Sequence, residues 1–198
     1  MDKILACIDG SRSTASVCDH AAWVSRQTHA PLVFLHAIRH PQGETPADYS
    51  GNIGLGGREA LLERIVEDEE KRAKLLREQG RALLDDAIER AANQGVDQAG
   101  SLLRNDRVVT AITEQQADTG LIVVGKQGHD GDMVERHVGS HLESLIRTIA
   151  RPVLVAPPGF TQPERFLIAY DGSDAAEQTL ALVAEHPLLA GLEAHVLL

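Results

Sequence analysis

The chain has 198 residues, of which 43% are hydrophobic and 24% charged, as in an ordinary globular protein of one large domain or of one domain and part of another. Its formal net charge of -10 argues against a nucleic-acid backbone or an anionic membrane as the main partner, although local backbone N–H groups can still bind a small anion. We see no signal peptide and no apolar run near the roughly 20 residues of a membrane span. A cytoplasmic protein is therefore expected.

Five short apolar runs alternate with stretches of helical periodicity along the chain. They occupy residues 3–8, 31–38, 99–103, 120–125 and 152–157. Runs that are apolar on both faces and separated by helices are typical of a parallel sheet covered on both sides. The sequence therefore predicts a doubly wound α/β domain, with a five-stranded parallel sheet and helices on both faces, over residues 1–158.

A long helix is predicted between the second and third of these strands. Residues 40–57 form a loop rich in Pro and Gly, and helical periodicity then extends over residues 58–94. The apolar positions of one helix face are Leu61, Ile65, Leu76, Leu83, Ala87 and Ala91. The middle, residues 67–74, contains only one apolar residue but has Glu–Lys pairs at i,i+4 spacing. We expect this middle to be solvated or to contact a partner.

The cysteines and histidines predict neither a disulfide framework nor a metal centre. Cys7 and Cys18 are too few for a framework and too far apart for a CxxC site, so both are predicted to be small buried apolar residues. His137 and His141 are four residues apart, but they flank a probable helix start and have no Cys or third spaced ligand nearby. No dedicated metal site is predicted.

The beginning of the chain is repeated near its end. "KILACIDGS" at 3–11 returns as "RFLIAYDGS" at 165–173, and "PLVFLH" at 31–36 has a counterpart in "EAHVLL" at 193–198, at the same offset of 162 residues. We therefore predict a complete domain, a linker over 159–164, and an incomplete second repeat (strand-helix-strand) over 165–198. So short a unit must pack on the first domain or on another chain, and we interpret the chain as a fragment of a longer tandem protein.

Two segments are candidates for a ligand site. Asp9-Gly10-Ser11 follows the first strand, and "GKQGHDGDMVERHVGS" (125–140) follows the fourth. Ligands of open parallel sheets bind beyond the carboxyl ends of strands, where connections diverge to opposite faces. There Asp9 can accept hydrogen bonds from a ribose or an adenine amine, and Gly125 and Gly128 allow the backbone to approach phosphates. Gly139 and Ser140 would begin a helix whose N-terminus favours an anion.

Each of these residues also has a purely structural interpretation. Asp9 can cap the helix that follows it, as can Ser11 or Ser13, and Gly125 can be a simple turn residue. Lys126 either steadies a β- or γ-phosphate or keeps its charge in water. The spacing matches neither a Walker A loop nor GxGxxG, so the glycines alone leave phosphate binding open.

These motifs resemble the universal stress protein family. "ILACIDGS" near the start, "LIVVGKQG" with the later "VGS", and "RPVLVAP" follow one another as in that family. The resemblance covers residues 1–158 and restarts at 165–198, as in tandem-domain members. It implies a Rossmann-like sheet of the HUP type with strand order 3-2-1-4-5.

The resemblance further implies ATP as the ligand, with Mg²⁺ bound only through its phosphates. The positions that match the family's nucleotide site are Asp9, Ala37, Gly125, Gly128, Gly139 and Ser140, to which we add Lys126. Two features depart from the family pattern. Ten residues separate Gly128 from Gly139 where the pattern has nine, and Ala37 replaces the usual valine beside the adenine. Arg104 or Arg107 either fills the crevice after the third strand or approaches phosphates.

The expected function is that of a stress-response protein that binds ATP and acts through nucleotide-dependent association. No catalytic motif is present, so we do not predict an enzyme, although slow ATP hydrolysis stays open. We expect a homodimer or pseudo-dimer through the strand at 152–157, which would be an exposed sheet edge. The alternative is a nucleotide-free stress scaffold on the same fold. A nucleotidyl-transfer or ligase relative would need an activating motif that the sequence lacks.

Overall fold

The structure, a computed structural model, describes residues 2–38, 55–126 and 140–198, with the backbone alone at 55–62 and 140–141. The strands of these residues are β1 (Lys3–Cys7), β2 (Leu32–Ala37), β3 (Ala99–Arg104), β4 (Thr119–Gly125), β5 (Val153–Ala156), β6 (Arg165–Ala169) and β7 (Glu193–Leu197). The α-helices are α1 (Thr14–Thr28), α2 (Leu55–Ala92), α3 (Val108–Gln115), α4 (Ser140–Thr148) and α5 (Asp174–Glu185). Short 3₁₀ helices lie at Gln116–Asp118 and Pro187–Leu189.

The first five strands form one parallel sheet in the order β3-β2-β1-β4-β5. This confirms the predicted five-stranded α/β sheet and the order that the family resemblance implied. Each strand begins and ends within one residue of the predicted apolar run. The match follows from composition, since strands buried on both faces are continuous apolar runs bounded by polar turns.

Side chains of the central strands alternate between two apolar layers. Ile4 and Phe34 point into the layer that contains α1 and the C-terminal part of α2, whereas Leu5 and Leu35 point into the layer that contains α3 and α4. All four side chains are at most 2% exposed. The central strands are therefore buried on both faces, and only the ends of the sheet can present polar groups to a ligand.

Among the described side chains of α2, those of its C-terminal part pack on the sheet. Leu84, Ala87 and Ala91 are buried there, while residues 66–72 are exposed, as predicted for the charged middle of the helix. With 38 residues the helix is about 57 Å long, far longer than the strands of the sheet, which have four to seven residues. Neither α2 nor any other helix in the described part of the chain combines the length and apolar composition that a bilayer span requires.

The second repeat forms its own two-stranded parallel sheet of β6 and β7, with α5 between them. It packs on the first domain through the 3₁₀ helix Pro187–Leu189, where Leu188 is 6% exposed and joins the core layer of α1. Leu167 and Val196, on the strands themselves, stay more than half exposed. Residues 165–198 therefore pack on residues 1–158 over only part of their surface.

Candidate functional site

The connections that leave β1 and β4 diverge to opposite faces of the sheet. The two strands are neighbours, and β1 leads to α1 on one face while β4 leads to α4 on the other. Ligands of open parallel sheets bind in the crevice at the carboxyl ends of such strands. The predicted residues Asp9 and Gly125 both lie at this edge of the sheet, since each follows or ends one of the two strands.

Asp9 holds the turn that follows β1. Its Oδ1 accepts a hydrogen bond from the backbone N–H of Ser11 at 3.0 Å, and Gly10 between them adopts a φ of +77°. A positive φ favours glycine because it has no Cβ. The N-cap of α1 is Ser13, which makes no capping hydrogen bond with its side chain. Asp9 therefore stabilises the turn between β1 and α1. The residue is exposed at the crevice.

Ala37 and Arg104 form the last residue pair of β2 and β3 at the same edge. The carbonyl of Arg104 accepts a hydrogen bond from Ile38 N–H at 2.7 Å, which fixes the two strand ends together. Ala37 is partly buried. Its side chain is a single methyl group at the carboxyl end of β2.

The end of β4 is also fixed by strand pairing. Gly125 is in register with Ala156 of β5, and Lys126 N–H donates to the carbonyl of Ala156 at 2.9 Å. Lys126 is exposed. Exposure is compatible both with a charge kept in water and with a contact to a phosphate. The predicted positions Gly128 and Gly139 lie outside the described residues. Ser140 is the first described residue of α4, and only its backbone is described.

Two buried side-chain atoms in the described part of the chain lack a hydrogen-bond partner, Thr14 Oγ1 and Arg104 Nε. Thr14 is the first residue of α1 and Arg104 is the last residue of β3, so both lie at the carboxyl edge of the sheet. Leaving such an atom unpaired costs about 1–3 kcal/mol, and unpaired atoms in native proteins often mark a ligand or water site. Both unpartnered atoms therefore lie at the edge of the sheet where the sequence predicts a ligand.

The two thiols are poor nucleophiles. Cys18 is buried, and Cys7 is half-buried and packs against the apolar layer of α3 and α4, where its strand end approaches the crevice. Burial and the nearby Asp9 carboxylate raise the pKa of Cys7 to about 12, and burial is the main reason why the pKa of Cys18 rises to about 11. Both thiols stay protonated at neutral pH. Within the described residues no group of three His, Cys, Asp or Glu side chains is placed to hold a metal ion.

The sequence profile of the Universal stress protein family matches residues 1–157. The chain belongs to the universal stress protein family. It is similar to the Universal stress protein Slr1230 of Synechocystis sp. (strain ATCC 27184 / PCC 6803 / Kazusa), with 30% identity over 198 residues, 99% of this chain and 69% of that protein.

Solved universal stress proteins share the fold. A crystal structure from Archaeoglobus fulgidus DSM 4304 superposes with a TM-score of 0.67 at 14% identity, over 98% of this chain and 76% of that chain. A universal stress protein in complex with cAMP superposes with a TM-score of 0.50 at 18% identity, over 80% of this chain and 98% of that chain. At these identities the likeness concerns the fold alone.

Sequence reasoning missed one residue that shapes the site in this universal stress protein. His36 Nδ1 donates to the carbonyl of Ile8 at 2.8 Å and so ties β2 to the segment that carries Asp9. A Cβ at Gly80 of α2 would lie 2.9 Å from the His36 ring, so this glycine permits the close approach of the helix. A histidine among apolar strand residues was the available signal, but its partner is 28 residues away in sequence.

Proposed function

We propose that this universal stress protein binds an adenine nucleotide, ATP, at the carboxyl edge of its five-stranded sheet. The observation that carries the proposal is the coincidence, at one edge, of the Asp9 turn and the two unpartnered atoms Thr14 Oγ1 and Arg104 Nε. A polar ligand that meets these groups would relieve the cost of leaving them unpaired. The cAMP-bound relative supports an adenine nucleotide as the class of ligand, because its fold is the same.

The residues at the edge fit the parts of a nucleotide. Asp9 would accept from ribose hydroxyls, Ala37 would leave room for the base, and Gly125 and Lys126 would face the phosphates. Gly128, Gly139 and Ser140 complete the proposed set, since backbone N–H groups at the start of α4 favour an anion. Any Mg²⁺ would be held through the phosphates.

We propose that bound nucleotide controls association with partners in a stress response, in the cytoplasm, rather than dedicated catalysis. β5 is the edge strand of the sheet, so a homodimer or pseudo-dimer through residues 152–157 is available to it. The second repeat reproduces the first turn closely: Asp171 Oδ1 accepts from Ser173 N–H at 3.0 Å, and Gly172 has a φ of +74°. This duplicated turn supports the tandem type with an incomplete second repeat. The match to Slr1230, of which the chain spans 69%, supports it as well.

A nucleotide-free scaffold is the competing proposal. The observation that favours it is the exposed, charged surface of α2 between residues 66 and 72, which offers a partner-binding surface independent of the crevice. Under that proposal the departures at Ala37 and in the Gly128–Gly139 spacing reflect a crevice no longer used for nucleotide.

The test begins with protein purified without added nucleotide. Denaturation followed by chromatography of the supernatant should release adenine nucleotide in near-stoichiometric amount, or Mg-ATP should raise the melting temperature. Asp9→Ala should abolish both effects, whereas Asp171→Ala, which removes the same turn contact from the second repeat, should abolish neither. Gly128→Val should also prevent binding without unfolding the protein. If no nucleotide is released and Mg-ATP causes no thermal shift, the nucleotide proposal is wrong and the nucleotide-free scaffold is favoured.

A further inference from the structure

Arg104 occupies the end of the crevice opposite the phosphate side. Along the sheet order, β3 is three strand positions from β4, which amounts to about 14 Å at the usual strand spacing. That distance is comparable with the length of an extended nucleotide. A ligand whose phosphates lie at Lys126 and at the start of α4 therefore brings its base to the Ala37–Arg104 pair.

The Arg104 and Ala37 side chains lie on one face of the sheet. Leu103 and His36, the preceding residues of the two strands, face the layer of α1 and α2, because Leu103 packs in that layer and both approach Gly80 of α2. Side chains alternate along a strand, so the next pair faces the α3 side. The proximity of Arg104 to Glu114 of α3 agrees with this placement.

The Arg104 guanidinium has an unused donor within this layer. The side chain is 39% exposed as a whole, but its Nε is buried and makes no hydrogen bond. The carboxylate of Glu114 lies 3.9 Å from Nε, which is too far for a hydrogen bond, and Glu114 is 56% exposed. An exposed ion pair of this length contributes little, so it does not account for the placement of Arg104.

We infer that Arg104 is a specificity-determining residue that donates a hydrogen bond to a ring nitrogen of the bound base, which would lie beside the small side chain of Ala37. The inference rests on the proposed nucleotide function and deepens it. Every guanidinium nitrogen of Arg is a hydrogen-bond donor and none accepts, whereas the ring nitrogens of adenine are acceptors. Neither the small neighbour nor the unpaired Nε would be needed by an arginine that only covered the surface.

The experiment measures the affinity of the full chain for ATP by calorimetry, with Arg104→Met, Arg104→Lys and the control Arg107→Met. Arg107 is exposed, three residues further on, at the start of α3. Loss of a charged donor in Arg104→Met should weaken the affinity for ATP by about tenfold or more. The affinity of Arg107→Met should stay within about twofold of the parent's. Arg104→Lys should lose most of the same affinity, because its ammonium keeps the charge but places no donor at the position of Nε. Glu114→Gln should bind ATP as the parent does.

Analogues of ATP that lack one ring nitrogen (1-deaza, 3-deaza and 7-deaza) identify the contact. At least one should bind the parent more weakly than ATP does, and that penalty should vanish in Arg104→Met, as a double-mutant cycle requires. Equal ATP affinity of the parent and Arg104→Met, full affinity of Arg104→Lys, or equal analogue penalties in both proteins would overturn this inference alone. A parent that binds no adenine nucleotide would overturn the proposed function as well, so the two failures are distinguishable.

Discussion

Ser16 Oγ donates to the carbonyl of Pro157 at 2.6 Å and lies 2.9 Å from that of Gly159, so α1 holds the segment that leads from the first domain to the second repeat. The neighbouring side chain of His20 is buried and packs edge-on against Phe160, with ring centroids 4.9 Å apart. These contacts join residues about 140 positions apart in sequence. The position of the second repeat therefore depends on a few polar and aromatic contacts of α1.

Ser16→Ala should loosen this segment. The Pro157 carbonyl loses its donor, so we expect about 1 kcal/mol lower stability and faster amide exchange in residues 160–175. Hydrogen exchange followed by mass spectrometry measures the local effect, with Ser144→Ala on the exposed side of α4 as control. Unchanged exchange in that segment would show that the apolar contact of Leu188 alone holds the repeat.

Asp19 joins α1 to the end of α2 by an ion pair with Arg90. Arg90 Nε and Nη2 lie 2.6 and 2.8 Å from the two carboxylate oxygens, and Gln94 Nε2 donates to the same carboxylate. Burial raises the pKa of Asp19, but the hydrogen bonds from Arg90 and Gln94 outweigh it, and the net shift is downward. The pair therefore stabilises the fold above the unfolded pKa near 3.8 and loses its effect as pH falls through the lower folded pKa.

Asp19→Asn should accordingly lower the free energy of unfolding by about 1–2 kcal/mol at pH 7. The difference from the parent should shrink below pH 4, because the parent's own carboxylate is then being protonated. Urea unfolding at pH 7 and pH 3 measures both values. Asp85→Asn, at an exposed position of α2, should show no comparable loss. A penalty that is constant with pH would rule out the charge as its cause.

Gly80→Val should destabilise the domain although it replaces a glycine within a helix. A Cβ there would lie 2.8 Å from Leu103 Cδ1 and 2.9 Å from the ring of His36, whose Nδ1 is hydrogen-bonded to Ile8. Overpacking of this kind costs about 1–3 kcal/mol, more than the improved helix propensity returns. Denaturant unfolding should show the loss, and Gln79→Val on the exposed side of α2 should not. A more stable Gly80→Val would mean that Leu103 and His36 move aside freely.

Lys126→Ala tests the phosphate side of the crevice. If Lys126 steadies a β- or γ-phosphate, the variant should bind ATP about three- to tenfold more weakly and AMP unchanged, since AMP lacks those phosphates. Isothermal titration with both nucleotides gives the ratio, and Lys74→Ala on the exposed part of α2 is the control. An equal loss for ATP and AMP, or no loss for either, would support the solvated interpretation of this lysine.

The sequence by itself determined the sheet and its strand bounds. Five apolar runs separated by amphipathic stretches specify buried parallel strands, because burial and periodicity are properties of each segment taken alone. The same holds for the exposed middle of α2, where the charged run 67–72 leaves nothing to bury. The candidate residues at strand ends, such as Asp9 and Gly125, could be named for the same reason, since their turns are local.

Tertiary structure alone decided how those residues are used. Asp9 could cap α1 or shape its own turn, and only the placement of the Ser11 and Ser13 N–H groups distinguishes the two. Three contacts join segments far apart in sequence. They are the pairing of Ala37 with Arg104, the hydrogen bond from Ser16 to Pro157, and the packing of Leu188 against α1. Such contacts depend on which strands become neighbours and which faces they share, and no local pattern carries that information.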